Sequence, residues 1–132
     1  MAYRIVSGRG AVRGFTLIEL IVVMSIIATL LTIAVPRYFK SLERSKEAVL
    51  KQDLSVLRDA IDKFSSDLGH NPDALADLVT HRYVRSLPVD PFTRNAESWV
   101  VTMSDDDEAP GIVDVHSSAP GAALDGTPRL AW

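Results

Sequence analysis

From Phe15 to Val35 the chain runs for 21 residues with a single charged side chain, Glu19. A stretch that apolar cannot be left in water. As a helix rising about 1.5 Å per residue it covers roughly 31 Å, enough to cross a bilayer's hydrocarbon core. The expectation is a membrane-length helix over 15–35. Residues 36–132 remain to build a small soluble head, whose core can only be modest.

What precedes the apolar stretch is equally informative. Residues 1–14, MAYRIVSGRGAVRG, contain Arg4, Arg9 and Arg13 and no acid. An ordinary secretory signal is cut after its apolar region, behind small residues. Here the small residue, Gly14, comes first. Cleavage after Gly14 would leave the apolar segment on the mature chain and retain the protein at a membrane. The arginines favour a cytoplasmic N-terminus. Arg37, Lys40, Arg44 and Lys46 beyond the span weaken that contrast, and Glu43 and Glu47 lie among them. The acid-free leader decides the orientation. Without its three arginines the 14 basic residues become 11 against 17 acidic, a formal net of −6. A head with that balance is a poor nucleic-acid binder.

The chain has no cysteine, so disulfides, thiol chemistry and cysteine-held metals are excluded. His70, His81 and His116 are scattered without the spacing of a helical metal pair. No serine sits in a nucleophile elbow, and there is no phosphate-binding glycine loop. An enzyme is not indicated.

Past Pro36 the pattern becomes amphipathic. Leu50, Leu54, Leu57, Ile61, Phe64 and Leu68 recur at helical spacing and form one stripe. Phe39, Leu42 and Val49 extend it backwards less regularly. The spacing predicts one helix over 15–68, kinked near Pro36, capped by Gly69 and stopped by Pro72. Asn71-Pro72 predicts the start of a short helix over 72–80. Two prolines in Leu87 to Phe92 predict an extended linker. Ser98–Met103 and Ile112–His116 are β-prone, and the polar SDDDEAPG between them predicts an antiparallel hairpin. The tail from Ser117 to Trp132 is expected to be an ordered loop pinned by Leu124, Leu130 and Trp132. The acidic run Asp105 to Glu108 reads as a solvated turn.

Glu19 is costly in an apolar span, on the order of 2.5–3.5 kcal/mol on insertion scales. Two readings fit. Its carboxylate could lie at headgroup level. Alternatively, cleavage after Gly14 would create an α-amine at Phe15, cationic below a pKa of about 7.7–8. That amine, on an adjacent subunit, could neutralise Glu19 and set the axial register.

The run Gly14-Phe15-Thr16-Leu17-Ile18-Glu19-Leu20, with its basic leader, apolar continuation and Pro36, resembles the type IV prepilin signature. The resemblance implies cleavage between Gly14 and Phe15 by a membrane aspartyl peptidase and N-methylation of Phe15. Glu19 would then be the assembly residue. Asn71-Pro72-Asp73-Ala74-Leu75, Leu87 to Phe92, Trp99, Gly111 to Ser117, Leu124 to Pro128 and Trp132 resemble the major pseudopilin of type II secretion systems. The short head without a cysteine pair is similar to pseudopilins more than to many adhesive pilins. The family often holds a calcium ion in its C-terminal loop. The only candidates here are Asp125, Asp114 and Ser117, because Ser118-Ala119-Pro120-Gly121 stands where an acidic ligand is common.

The resulting expectation is an α+β, pilin-like fold. Residues 1–14 are a leader, 15–35 a transmembrane and filament-core helix, and 36–132 an amphipathic helix with a periplasmic head. The protein would sit in the inner membrane, single-pass, and assemble with copies of itself into a pseudopilus. Its partners would be a prepilin peptidase, minor pseudopilins, an inner-membrane assembly platform and, before assembly, lipid. A type IV pilus subunit for adhesion or motility and a membrane-tethered binding module are the alternatives.

Overall fold

The computed structural model describes residues 2–3, 8, 10 and 12–132. The leader arginines Arg4 and Arg9 lie outside the described residues. The order of elements is helix α1, Leu17–Leu68; helix α2, Leu75–Thr80; strand β1, Val100–Met103; strand β2, Ile112–His116; and a 3-10 turn, Arg129–Ala131. The chain divides into two compact units, Met1–Tyr38 and Phe39–Trp132.

In the first unit the sequence reading places the helix start two residues early. Thr16 is the reason. Its Oγ1 accepts the N–H of Glu19 at 3.2 Å, and its carbonyl accepts the N–H of Leu20. That makes Thr16 an N-cap and leaves Phe15 outside the helix. The hydroxyls of Ser25, Thr29 and Thr32 donate to carbonyls one turn back, each at 2.8 Å. Polar groups inside the apolar stretch are thereby satisfied without a neighbour. Pro36 lies within α1, with helical residues on both sides.

In the second unit one face of α1 carries the core. Leu50, Leu54, Leu57, Ala60, Ile61 and Phe64 are buried and pack with Leu78, Trp99, Ile112 and Val115. The rings of His70, His81 and Tyr83 stand around Phe64 at centroid distances of 5.1–5.5 Å. Phe39, Leu42, Val49 and Leu68 do not share this burial and are exposed. The stripe does continue towards the N-terminus at helical spacing, but through Glu47, buried, and Glu43, half-buried. Beyond Leu68 the helix ends on Gly69 at φ +74°, whose N–H donates to the Ser65 carbonyl, as a C-terminal glycine does.

The short helix begins at Leu75 rather than Pro72. The Asp77 carboxylate accepts the N–H groups of Asp73 and Ala74 and so sets its start. Asn71 and Pro72 serve the hairpin instead. The Asn71 side-chain amide donates to the Ala109 carbonyl at 2.9 Å, and Ile112 N–H donates to the Pro72 carbonyl at 2.8 Å.

The strands pair antiparallel, Val100 with His116, Val101 with Val115, Thr102 with Asp114, and Met103 with Ile112. Val113 is the extra residue of a bulge. Without it, Ile112 and Val115 would point to opposite faces; with it, both are buried and Val113 is exposed. Arg58 of α1 ties the sheet down, its Nε donating to Asp114 Oδ1 at 2.7 Å and its Nη2 to the Val115 carbonyl at 3.0 Å. Trp99 Nε1 donates to the Pro88 carbonyl at 2.9 Å. Asp90, wholly buried, accepts from Phe92 N–H, Thr93 N–H and Ser117 Oγ.

The tail is ordered, but not through the leucines. Leu124 is 45% and Leu130 56% exposed. The buried residues are Ser117, Ala119, Ala123 and Arg129, while Trp132 packs against the core from its edge. A glycine- and alanine-rich loop lies close to its support, where small side chains fit and leucines do not.

Gly111 sits at φ +118°, and a Cβ there would stand 2.7 Å from Asn71 Cβ and 2.9 Å from the Pro72 carbonyl oxygen. Gly111→Ala should lower stability by about 2–4 kcal/mol, measured by denaturant unfolding of the full chain in detergent. Gly126→Ala, in open space at φ +87°, should cost only about 1 kcal/mol. Burial alone would raise the pKa of Asp114, yet the bonds from Arg58 and Val115 N–H and the nearby Arg58 and His116 charges hold it below the usual carboxylate range. A lowered carboxylate stabilises the fold above its ordinary pKa and loses that contribution as pH falls through the lowered value. NMR titration should place the Asp114 midpoint below that of an unstructured aspartate, and Arg58→Met should move it upward.

Candidate functional site

The residues that the sequence marks for chemistry lie at the foot of α1. Gly14 is exposed, non-helical and has nothing within 4 Å of where a Cβ would stand. Phe15 is 88% exposed. The bond between them therefore lies in exposed, non-helical backbone immediately before the Thr16 cap. Glu19 follows as the third helical residue, held by its own N–H on Thr16 Oγ1. A threonine followed three positions later by glutamate is a helix-start pattern visible in the sequence, and it accounts for why Thr16 belongs to the site. Among the described residues none forms an ion pair with the Glu19 carboxylate. Beside it lies a small apolar hollow of about 170 Å³, lined by Phe15, Leu20 and Val23 as well as Glu19.

Among the described residues none covers the helix over residues 17–35. Every residue from Leu17 to Val35 is exposed, and the most apolar window has a mean hydropathy of 2.6 with none of it buried. In length and composition α1 is sufficient to cross a membrane. A helix apolar on all sides is stable only in lipid or among other helices.

The three calcium candidates each have partners of their own. Asp125 Oδ1 accepts from Thr127 N–H and Oγ1, which hold its pKa below the usual range. Asp114 is engaged by Arg58, with His116 Nε2 at 3.4 Å. Ser117 Oγ donates to Asp90 at 2.5 Å. Among the described residues no group of three or more carboxylates or histidines is placed to hold a metal ion. The acidic turn uses its side chains locally, with Asp106 accepting from Glu108 N–H and Ser104 Oγ from Asp106 N–H.

What the sequence reading misses is Arg129. Its side chain is 9% exposed, and its Nη2 makes an ion pair with Glu43 and stands 3.9 Å from Glu47 Oε1. Nη1 donates to the Pro120 carbonyl at 3.0 Å, and the guanidinium lies 4.1 Å from the centre of the Phe92 ring. Nε is buried without a partner, a cost set against the stacking. The signal available in the sequence was the continuation of the Leu50 stripe to positions 47 and 43, where carboxylates imply a buried cation from elsewhere.

Residues 9–35 match the family model for the prokaryotic N-terminal methylation motif. The type IV major pilin protein PilA of Myxococcus xanthus is 37% identical over 71 residues, 46% of this chain and 32% of that protein. The type II secretion system core protein G of Escherichia coli is 29% identical over 96 residues, 61% of this chain and 66% of that protein. Core protein G of Xanthomonas campestris is 30% identical over 89 residues, 67% of this chain and 62% of that protein. The chain thus spans about a third of the pilin and just under two thirds of each secretion protein. No solved structure matches it. The methylation motif falls on the exposed apolar stretch of α1, and the matches include both a pilin and secretion-system core proteins, so the chain is similar to type IV pilin-like proteins.

Proposed function

We propose that this chain is the precursor of a structural subunit of a periplasmic pseudopilus serving type II protein secretion, and that it is not an enzyme. In this reading the leader, residues 1–14, faces the cytoplasm and the head faces the periplasm. A prepilin peptidase cuts the Gly14–Phe15 bond, and the new Phe15 amine is methylated. The subunit waits in the inner membrane and is then drawn by an assembly platform into a filament of like subunits, minor pseudopilins among them.

One observation carries the reading. α1 leaves residues 17–35 uncovered while Glu19 lies a single turn from an exposed Gly14–Phe15 bond. The bare helix calls for lipid first and neighbouring helices later, and both burials are apolar, so the transfer costs little. Glu19 calls for a cation in that apolar surrounding. The amine of a cut chain is such a cation, and on a neighbouring subunit it lies where Glu19 can reach it only in one register. Methylation leaves it an amine and so still cationic.

The secretion reading is preferred to a pilus because the two core protein G matches cover more of this chain, 61% and 67%, than the pilin match, 46%. The pilus reading rests on the higher identity of that shorter match, 37%. Sheared-surface preparations distinguish them: long external fibres mark a pilus, and their absence alongside secretion dependent on this chain marks a pseudopilus.

Intact mass spectrometry of the membrane-extracted protein should show loss of residues 1–14 and gain of one methyl group on Phe15. A mature chain still beginning at Met1 sinks the proposal. Glu19→Ala should insert and be processed normally but fail to assemble. Removing one partner of a buried pair costs about 3–5 kcal/mol, so crosslinked oligomers should fall by about a hundredfold or more. Wild-type oligomer levels in this variant would instead support a membrane-tethered binding module.

A further inference from the structure

We propose that the C-terminal loop, residues 117–132, is locked to α1 by Arg129 and needs no divalent cation. A calcium ion is what the family resemblance implies for this loop, and the residues present do not fit one. Each side chain in the candidate set is already engaged: Asp125 through Oδ1 with Thr127, Asp114 through Oδ1 with Arg58, Ser117 through Oγ with Asp90.

What holds the loop is visible at three points along it. The Pro120 carbonyl accepts from Arg129 Nη1, Leu124 N–H donates to Glu47 Oε1 at 2.8 Å, and Arg129 Nη2 pairs with Glu43. Backbone bonds from Arg129 N–H to the Gly121 carbonyl and from Ala123 N–H to the Thr127 carbonyl close the loop on itself. The guanidinium therefore does what a bound cation would do in such a loop. It gathers a carbonyl and two carboxylates around one positive charge and joins the tail to residues 43 and 47 of the helix. Its flat face rests on Phe92, and a Cβ at Gly121 would stand 3.2 Å from Nη1, so the surroundings are shaped to the guanidinium. Arginine suits the task because its planar fork can bind two acceptors at once and never loses its charge. The inference concerns the head and stands whether or not the chain assembles.

The full chain in detergent tests it through thermal unfolding, followed by tryptophan fluorescence, and limited proteolysis of the loop. Wild-type protein should unfold at the same temperature in excess EDTA and in excess calcium, with the loop equally protected in both. Arg129→Met should lower the midpoint by about 5 °C or more and open residues 117–128 to protease in both conditions. Should that variant fail to fold, Arg129→Lys and Glu47→Gln should give the smaller shift in the same direction. The chelator comparison needs no variant at all. A fall in the wild-type midpoint on EDTA, or a rise on adding calcium, overturns the proposal. So does an Arg129→Met protein as stable and as protease-resistant as wild type.

Discussion

The head depends on a single buried stripe of α1. Leu50, Leu54, Leu57, Ile61 and Phe64 are each at most 2% exposed, and Leu78, Trp99, Ile112 and Val115 from the rest of the head cluster with them. A two-stranded sheet is not stable alone. Here β2 lends Ile112 and Val115 to the helix face, while β1 stays exposed along its whole length. The sheet is therefore an attachment to the helix, and the helix stripe comes first in the order of causes. Arg58, Asp90 and Arg129 then settle polar groups that this arrangement traps. Each does so with partners far away in sequence.

The same helix carries two opposite relations to water. Over 17–35 every residue is exposed among the described residues, and over 47–64 it supplies most of the core. The first stretch is satisfied backbone and hydroxyl by hydroxyl, through the bonds of Ser25, Thr29 and Thr32 to the preceding turn. It needs no specific neighbour to be a stable helix in an apolar medium. In the filament reading, that independence is what a passage from lipid to neighbouring helices would require.

How much of this the sequence disclosed depends on range. The apolar span, the Leu50 to Phe64 stripe, the Gly69 stop and both strands follow from local composition and period, which act within a few residues. The Thr16 cap was equally local, since threonine and Glu19 stand at capping-box spacing. Other features depended on partners remote in sequence. Val113 is apolar and β-prone, yet it faces out because the bulge is set by pairing with Thr102 and Met103. Asn71-Pro72 looks like a helix start, but the hairpin turn claims it. Leu124 and Leu130 look like anchors, but a loop closed by Arg129 on Glu43 and Glu47 leaves them outside. Charged residues on a helix are normally read as solvent-facing, and that expectation hid a contact spanning 86 positions. At the candidate site Gly14, Phe15 and Glu19 stand out as candidates for the converse reason, since the features that single them out are contiguous in the sequence.

Glu19 and Arg129 resolve the same physical difficulty in different ways. Arg129 is a charge in surroundings that cannot solvate it well, and in the membrane reading Glu19 would be another; such a charge is tolerated only with an opposite one close by. Arg129 finds Glu43 and Glu47 within its own chain, so folding alone satisfies it. Glu19 has no ion pair among the described residues, although its helix is fully formed around it. A charge satisfied on folding fixes a shape. One left unsatisfied after folding ties the molecule's lowest free energy to something beyond the single chain. In the filament reading that is the cut end of a neighbour, and the unpaired carboxylate then favours the correct register over the many others that apolar contact alone would permit equally.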